Sequence, residues 1–246
     1  MPDLSEADLS KYQSVLVVSA HPDDPEFGYG GAIACLVAAG ATVNYVVCTD
    51  GSQGGEDPHV PDQELTQTRY REQRAAADVL GVKEITFLGF KDGHLSHDIE
   101  LRKAITREIR KYRPDLVLTH YPTRSVGASI GASHPDHLAV GEATLSAVYP
   151  DARNPRAYRE LLSEGYEPHK VKEVWLPGYE IHDIFVSLTA ELVELKVRAI
   201  EAHSSQFQKP DQEPGTPGKW IRDRMKQTGE KVGVEFAEAF KRMETG

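Results

Sequence analysis

Short, continuous apolar runs alternate with helix-like stretches along the first three-fifths of the chain. The apolar runs are 14–20, 43–49, 85–88 and 116–120, and the helix-like stretches are 28–39, 66–80, 99–112 and 135–149. Strands without polar alternation are buried on both faces, so this order predicts a parallel sheet between two layers of helices. Because crossovers between parallel strands are right-handed, the expected fold is a Rossmann-like, doubly wound and mostly parallel α/β sheet.

After residue 149 the alternation of apolar runs and helix-like stretches becomes less regular. Two strands, a helix, a loop rich in proline and glycine, and a last helix are predicted in turn at 171–176, 184–188, 189–203, 208–219 and 221–243. A chain of 246 residues has the length of one sizeable α/β domain. We therefore expect a single domain over 1–246, with a core of about 14–207 and a C-terminal loop and helix at 208–246.

The composition excludes several partners. With 28 Lys and Arg against 38 Asp and Glu, the formal net charge is −10, whereas nucleic acids and anionic membranes require clustered Lys and Arg. The N-terminus does not resemble a signal peptide, and no run approaches the ~20 apolar residues of a membrane span. The two cysteines, Cys35 and Cys48, are too few for a disulfide framework, so we expect a reducing, cytoplasmic location.

Two short motifs carry the residues that can do chemistry. His21-Pro22-Asp23-Asp24 directly follows the first predicted strand, and His134-Pro135-Asp136-His137 follows the fourth, after a loop rich in glycine and serine. In a doubly wound sheet these two strands are commonly neighbours, and ligands bind beyond their carboxyl ends, where the chain direction reverses. Both motifs are therefore expected to face one crevice.

Helix capping explains part of this pattern. Asp24, Pro25 and Glu26 are the cap, first residue and early acid that a helix start favours, and Pro135 can begin a second helix in the same way. Capping accounts for one aspartate and the prolines. Three histidines and a second aspartate stay unexplained, which favours a functional site.

The residue types suit metal-assisted hydrolysis. His21, Asp24 and His137 make a plausible set of two imidazoles and one carboxylate, and catalytic zinc sites typically have three protein ligands and an open position for water. Asp23 is then free to accept a proton from that water. His134 is free to stabilise or protonate the group that develops beyond it. Cleavage of an acyl bond needs these parts.

The two motifs, in this order, resemble those of the LmbE-like, or PIG-L-type, N-deacetylases. Other stretches are similar to the family as well, and the resemblance covers about residues 15–207. These stretches are Thr49-Asp50-Gly51, Arg69-x-x-Glu72 before Leu80-Gly81-Val82, Phe87-Leu88-Gly89-Phe90 before Asp92-Gly93, and His203-Ser204-Ser205-Gln206.

The resemblance implies zinc bound by His21, Asp24 and His137, with Asp23 as general base. It also implies that His134 stabilises the oxyanion and that Asp136 orients His134. Iron, nickel or cobalt can replace zinc, since a site of histidine and aspartate accepts several divalent ions. Family members often assemble as trimers or hexamers, so a homo-oligomer is expected.

Four further residues resemble family positions with less distinctive chemistry. Arg69 and Asp92 match positions that reach the sugar, although an exposed helix charge and a turn aspartate explain them equally well. Glu26 is either a support for the site or a favourable acid in the first turn of a helix. His203 belongs to the late motif and is expected to support the site. The remaining histidines, including His120 at the end of the fourth strand, have no assigned role.

The expected function is removal of the acetyl group from an N-acetylated amino sugar, of N-acetylglucosamine type, or from its conjugate. Two alternatives stay open: an amidase that cleaves a larger acyl group or a thiol-conjugate amide, and a non-catalytic protein that binds metal or sugar. A nucleotide-binding oxidoreductase is rejected. Its glycine-rich fingerprint is missing from the first strand-to-helix turn, where Asp23 and Asp24 would repel a pyrophosphate.

Overall fold

The computed structural model describes residues 4–124, 126, 130–178, 181–207 and 216–246. All strands in these ranges belong to one eight-stranded sheet with the order β1-β7-β8-β6-β5-β2-β3-β4. In chain order the strands are β1 Ser5–Glu6, β2 Ser14–Ser19, β3 Thr42–Thr49, β4 Glu84–Phe90, β5 Leu116–Thr119, β6 Glu173–Pro177, β7 Ile184–Leu188 and β8 Phe236–Glu244.

The strand order matches the expected doubly wound topology. β2 pairs in parallel with β3 on one side and with β5 on the other. Successive strands are therefore added in one direction from β2 to β4 and in the opposite direction from β5 onwards. β3–β4 and β5–β6 are parallel as well, while β8 runs antiparallel to both β6 and β7. The expectation of a Rossmann-like, mostly parallel sheet is confirmed.

Helices cover both faces of the sheet. They are α1 Asp24–Ala38, α2 Asp62–Leu80, α3 Ile99–Tyr112, α4 Pro135–Ser146, α5 Arg159–Ser163, α6 Ala190–Glu201, α7 Ser204–Phe207 and α8 Thr216–Val232. Alternate residues of β2 enter opposite cores: Val15 and Val17 pack with α1, α2, α6 and α8, whereas Leu16 and Val18 pack with α3 and α4. Burial on both faces explains why the strand lacks polar alternation. In the described ranges, no helix combines the length and the apolar character that crossing a membrane requires.

The C-terminal segment differs from the sequence-based expectation. The helix predicted over 221–243 is wrong beyond Val232, because Gly233 takes a φ of +81° and the chain returns as β8. The alanines and glutamates of this segment favour a helix locally. Strand pairing prevails over this local helix preference because β8 forms hydrogen bonds with the backbone groups of both β6 and β7. Of the loop predicted at 208–219, residues 208–215 lie outside the described ranges and 216–219 begin α8.

The other boundaries shift by a few residues. α1 begins at Asp24 rather than at residue 28, which places the first motif at the helix start. The helix predicted over 135–149 ends at Ser146, and a wider turn over Ala147–Asp151 follows it. These differences leave both motifs where parallel strands end and helices begin.

Candidate metal centre

The two motifs meet at the carboxyl ends of the neighbouring strands β2 and β5. His21 lies two residues beyond the end of β2, and α1 begins three residues later at Asp24. On the other side, His134 is the N-cap residue of α4, which carries His137 in its first turn. The parallel pairing of β2 and β5 therefore brings together residues more than a hundred positions apart.

Three side chains, those of His21, Asp24 and His137, form a tight triangle at this point. Asp24 Oδ1 lies 3.0 Å from His137 Nε2, His21 Nδ1 lies 3.2 Å from His137 Nε2, and His21 Nδ1 lies 3.3 Å from Asp24 Oδ2. A tetrahedral ion with metal–ligand bonds of 2.0–2.1 Å has ligand atoms about 3.3–3.4 Å apart. The donor types and their spacing thus fit one small divalent ion.

Two carboxylates hold the far side of the His21 ring. His21 Nε2 lies 3.1 Å from Asp136 Oδ2 and 3.1 Å from Asp92 Oδ1. A histidine that binds a metal through one nitrogen commonly donates the other N–H to a carboxylate, which fixes its ring. Although burial opposes it, the hydrogen bond from His21 lowers the pKa of Asp92 to about 2, so this carboxylate is ionised.

Asp136 lies in a different place from the one that its predicted role suggests. Its fully buried carboxylate contacts His21 and accepts hydrogen bonds from two backbone amides in the loop after β4, at 2.8 and 3.1 Å. Only its backbone N–H reaches His134, at 3.2 Å from Nδ1. A second possible ligand group joins His21, His134 and Asp136, but these hydrogen bonds already occupy the Asp136 carboxylate.

His134 stands beside the triangle as a neutral donor. Because Nδ1 accepts the N–H of Asp136, the ring proton belongs on Nε2. Burial lowers the pKa of His134, which also favours the neutral form. Its ring meets His21 edge to face at 4.8 Å. The Nε2–H group is therefore available to a developing oxyanion.

Asp23 has a conformation that few residues other than glycine adopt. Its φ is +95° and its ψ is −30°, and its backbone N–H donates to Gln73 Oε1 at 2.8 Å. Burial raises the pKa of Asp23 to about 6, while the Arg69 guanidinium, 3.1 Å from Oδ2, acts to lower it. A carboxyl group with a pKa near 6 is well suited to accept a proton at neutral pH.

A buried chain of polar groups supports Asp23 from behind. Gln73 Nε2 donates to both carboxylate oxygens of Glu26 at 3.0 Å, and His203 Nε2 lies 3.1 Å from the same carboxylate. Glu26, Gln73 and His203 are fully buried. Burial lowers the pKa of His203, but the Glu26 carboxylate raises it above its usual value. Glu26 thus contacts Gln73, which holds the backbone of Asp23, and His203 contacts Glu26 in turn.

A polar cavity of about 290 Å³ lies on the Asp23 and His134 side of the triangle. Arg69 is buried and donates to the carbonyl oxygens of Gly51 and Pro22 at 2.9 and 2.6 Å, so it also ties the two strand-end loops together. The residues that line this polar cavity include Asp23, His134, Arg69, Asp92, Gln53 and Gln206.

His120, to which the sequence assigned no role, belongs to the same cluster. Its ring stacks on His137 with centroids 4.1 Å apart, and Nε2 accepts the backbone N–H of Ala20 at 3.0 Å. Burial lowers the pKa of His120 to about 4, so it is neutral and packs against a candidate ligand. The position of His120 at the carboxyl end of the strand beside the first motif could have predicted its place in this cluster. Nothing in the local sequence could have predicted the role of Gln73, because its partners come from distant segments.

The fold and the cluster together define a class of protein. It is an α/β protein whose switch point brings together a candidate site for a divalent ion, a buried carboxylate and a neutral imidazole N–H donor, the types of group that metal-assisted hydrolysis uses.

Comparisons with known proteins narrow the class. The family model described as GlcNAc-PI de-N-acetylase (PIG-L) matches residues 16–148. A diacetylchitobiose deacetylase of Thermococcus kodakarensis is 34% identical over 229 residues, covering 93% of this chain and 82% of the relative. A probable N-acetyl-α-D-glucosaminyl L-malate deacetylase 2 of Bacillus subtilis is 30% identical, covering 79% and 83%.

A solved structure that resembles this chain is also a deacetylase. The N,N'-diacetylchitobiose deacetylase of Pyrococcus horikoshii, complexed with its inhibitor MPG, superposes with a TM-score of 0.86 at 32% identity, covering 96% of this chain and 85% of that one. The chain therefore belongs to the PIG-L family of de-N-acetylases, and the family expected from the two motifs is confirmed.

Proposed function

We propose that this chain is a metal-dependent hydrolase that removes the acetyl group from an N-acetylated amino sugar of N-acetylglucosamine type, or from its conjugate. The observation that carries the proposal is the triangle of His21, Asp24 and His137, with Asp23 and His134 both facing the polar cavity beside it. The activities of the two relatives support the substrate class, since each is named as a deacetylase of an N-acetylglucosamine compound.

His21, Asp24 and His137 would hold the metal ion, and we propose zinc. The set of two imidazoles and one carboxylate is typical of catalytic zinc, although iron, nickel or cobalt suits the same donors. A divalent ion held there lowers the pKa of water and polarises a carbonyl group. Asp136 and Asp92 orient His21 from behind, which keeps its Nδ1 atom directed at the triangle.

Asp23 and His134 carry the proton transfer and the charge stabilisation. Asp23 accepts a proton from the attacking water as that water's oxygen bonds to the amide carbon. His134 donates its Nε2–H group to the oxygen that becomes negative. When the carbon–nitrogen bond breaks, Asp23 returns the proton to the amine, so the products are acetate and a free amino sugar.

The polar cavity suits the sugar hydroxyl groups. Asp92 offers an ionised carboxylate, and Gln53 and Gln206 offer amides at its rim. Arg69 borders the cavity, but its guanidinium donates hydrogen bonds to Gly51, Pro22 and Asp23. We therefore propose that Asp92 contacts the sugar and that Arg69 acts mainly by holding Asp23.

Other expectations remain proposals. One sheet unites all the described strands, which supports a single domain over 1–246. Cys35 and Cys48 are free thiols, the state that a reducing cytoplasm maintains. A homo-oligomer, either a trimer or a hexamer, stays a prediction from the family resemblance.

Metal analysis combined with acetate release from a panel of N-acetylated sugars tests the proposed function. We expect about one divalent ion per chain and its loss, together with activity, in His137→Ala. His59→Ala is the matched control, since His59 is exposed and outside the cluster. If His137→Ala keeps its full metal content, the ligand assignment is wrong.

A further inference from the structure

A second cavity of about 370 Å³ also borders the triangle of His21, Asp24 and His137. We call it the α8 cavity, because Trp220, Arg224, Met225 and Thr228 of α8 form one wall. Asp24 and His137 are among its lining residues, whereas His21 is the member of the triangle that lines the polar cavity. The triangle thus borders two cavities, and an acetylated monosaccharide needs only one of them.

The wall of the α8 cavity combines an aromatic plane with polar side chains. The four α8 residues are spaced i, i+4, i+5 and i+8, so they share one helix face. Trp220 is 50% exposed, and its ring lies 6.3 Å from that of Phe27, which lines the same cavity. Arg224 lies over the indole at 5.5 Å. A half-exposed indole beside hydrogen-bonding groups matches a sugar ring, which has an apolar C–H face and a polar rim.

This wall comes from a different part of the chain than the catalytic groups. The family model matches residues 16–148, which include the metal triangle, Asp23 and His134. Trp220, Arg224, Met225 and Thr228 lie beyond residue 148. Because α8 contributes none of the proposed catalytic groups, its side chains can change substrate choice without changing the chemistry.

We propose that the α8 cavity binds the second sugar ring of an N-acetylglucosamine conjugate, with Trp220 as its stacking platform. The inference rests on the proposed function for the identity of the first ring. The volume is within the range of about 300–1,000 Å³ that small-molecule sites have, and far larger than an acetyl group requires. Trp220 is then a residue that determines specificity, and Phe27 supports its plane.

Ligand binding can be measured without turnover. The chain has two tryptophans, and Trp175 is fully buried, so a change in the exposed part of the emission reports on Trp220. We expect chitobiose, the disaccharide of glucosamine, to shift the fluorescence emission saturably and to reduce the quenching of Trp220 by acrylamide. Its Kd should be about 3- to 10-fold lower than that of glucosamine, the gain expected from one aromatic contact. Equal affinities, or no effect on emission, would overturn the proposal even if the enzyme proves to be a deacetylase.

Kinetics on matched substrates tests the same site. In Trp220→Ala, the ratio of kcat/KM for diacetylchitobiose to that for N-acetylglucosamine should fall about 3- to 10-fold, and Trp220→Phe should restore most of it. Tyr149→Ala, which alters an exposed aromatic outside both cavities, is the control and should keep the ratio. An unchanged ratio in Trp220→Ala contradicts the proposal.

Two further outcomes are decisive. If the effect of Trp220→Ala on kcat/KM instead follows the length of the N-acyl chain, the cavity belongs to the acyl group and the proposal is refuted. Absent turnover of both sugars overturns the proposed function, while the emission assay still decides the binding site.

Discussion

Replacement of Gln73 by leucine tests how the protein holds Asp23, the proposed general base. The side chain of Gln73 is fully buried, accepts the Asp23 N–H at 2.8 Å and donates to both oxygens of Glu26 at 3.0 Å. Leucine has a similar size and no polar atoms, so both partners lose a hydrogen bond. Each buried group left unpaired costs about 1–3 kcal/mol. Because Glu26 keeps His203, we expect the free energy of unfolding to fall by about 2–4 kcal/mol.

The same substitution should lower turnover more than substrate affinity. Asp23 has a φ of +95°, and without its partner the backbone is free to relax and move the carboxylate. A displacement near 1 Å costs on the order of 10²-fold in rate, so kcat should drop by at least tenfold while KM changes little. Denaturant unfolding and steady-state kinetics measure both effects, with Gln67→Leu, on the exposed face of α2, as the control. Unfolding free energy and kcat both close to wild type would refute the role of Gln73.

The remaining predictions concern the groups that face the polar cavity. Asp23→Asn should keep its metal but lose ~10²–10⁴ in kcat, whereas a loss below tenfold would make Asp23 only a helix-start residue. His134→Ala should also keep the metal and lose ~10²–10³ in kcat, and metal loss would make it a ligand instead. Arg69 acts to lower the pKa of Asp23, which burial raises to about 6. In Arg69→Met that pKa rises, so the acidic limb of the kcat/KM profile should move to higher pH, and an unmoved limb would contradict this pairing.

Local patterns in the sequence were enough to predict the parallel half of the fold. Continuous apolar strands ended by polar motifs set the order β2, β3, β4 and β5 and predicted that β2 and β5 would be neighbours. The candidate ligands followed from the same reasoning, because strand ends at a switch point face one crevice. These inferences needed only residue types and short-range periodicity.

Contacts between distant segments could not be predicted from these local patterns. The segment 236–244 has helix-forming residues, and it became β8 only because β6 and β7 offered backbone groups to pair. The partner of the Asp136 carboxylate, His21, lies 115 positions away, and Gln73 reaches Asp23 across 50. Hydrogen-bond geometry between side chains depends on distances that no local pattern encodes.

The amino-acid sequence thus specified the chemistry of the centre, and the assembled sheet decided its surroundings. Ligand type follows from residue identity, and the meeting of the two motifs follows from the parallel pairing of their strands. The hydrogen-bond partners of Asp23, the neutral state of His134 and the α8 cavity follow from how helices pack around that sheet. Burial and close packing arise only when remote segments fill the same space, and they set the pKa of Asp23 and the shape available to a substrate.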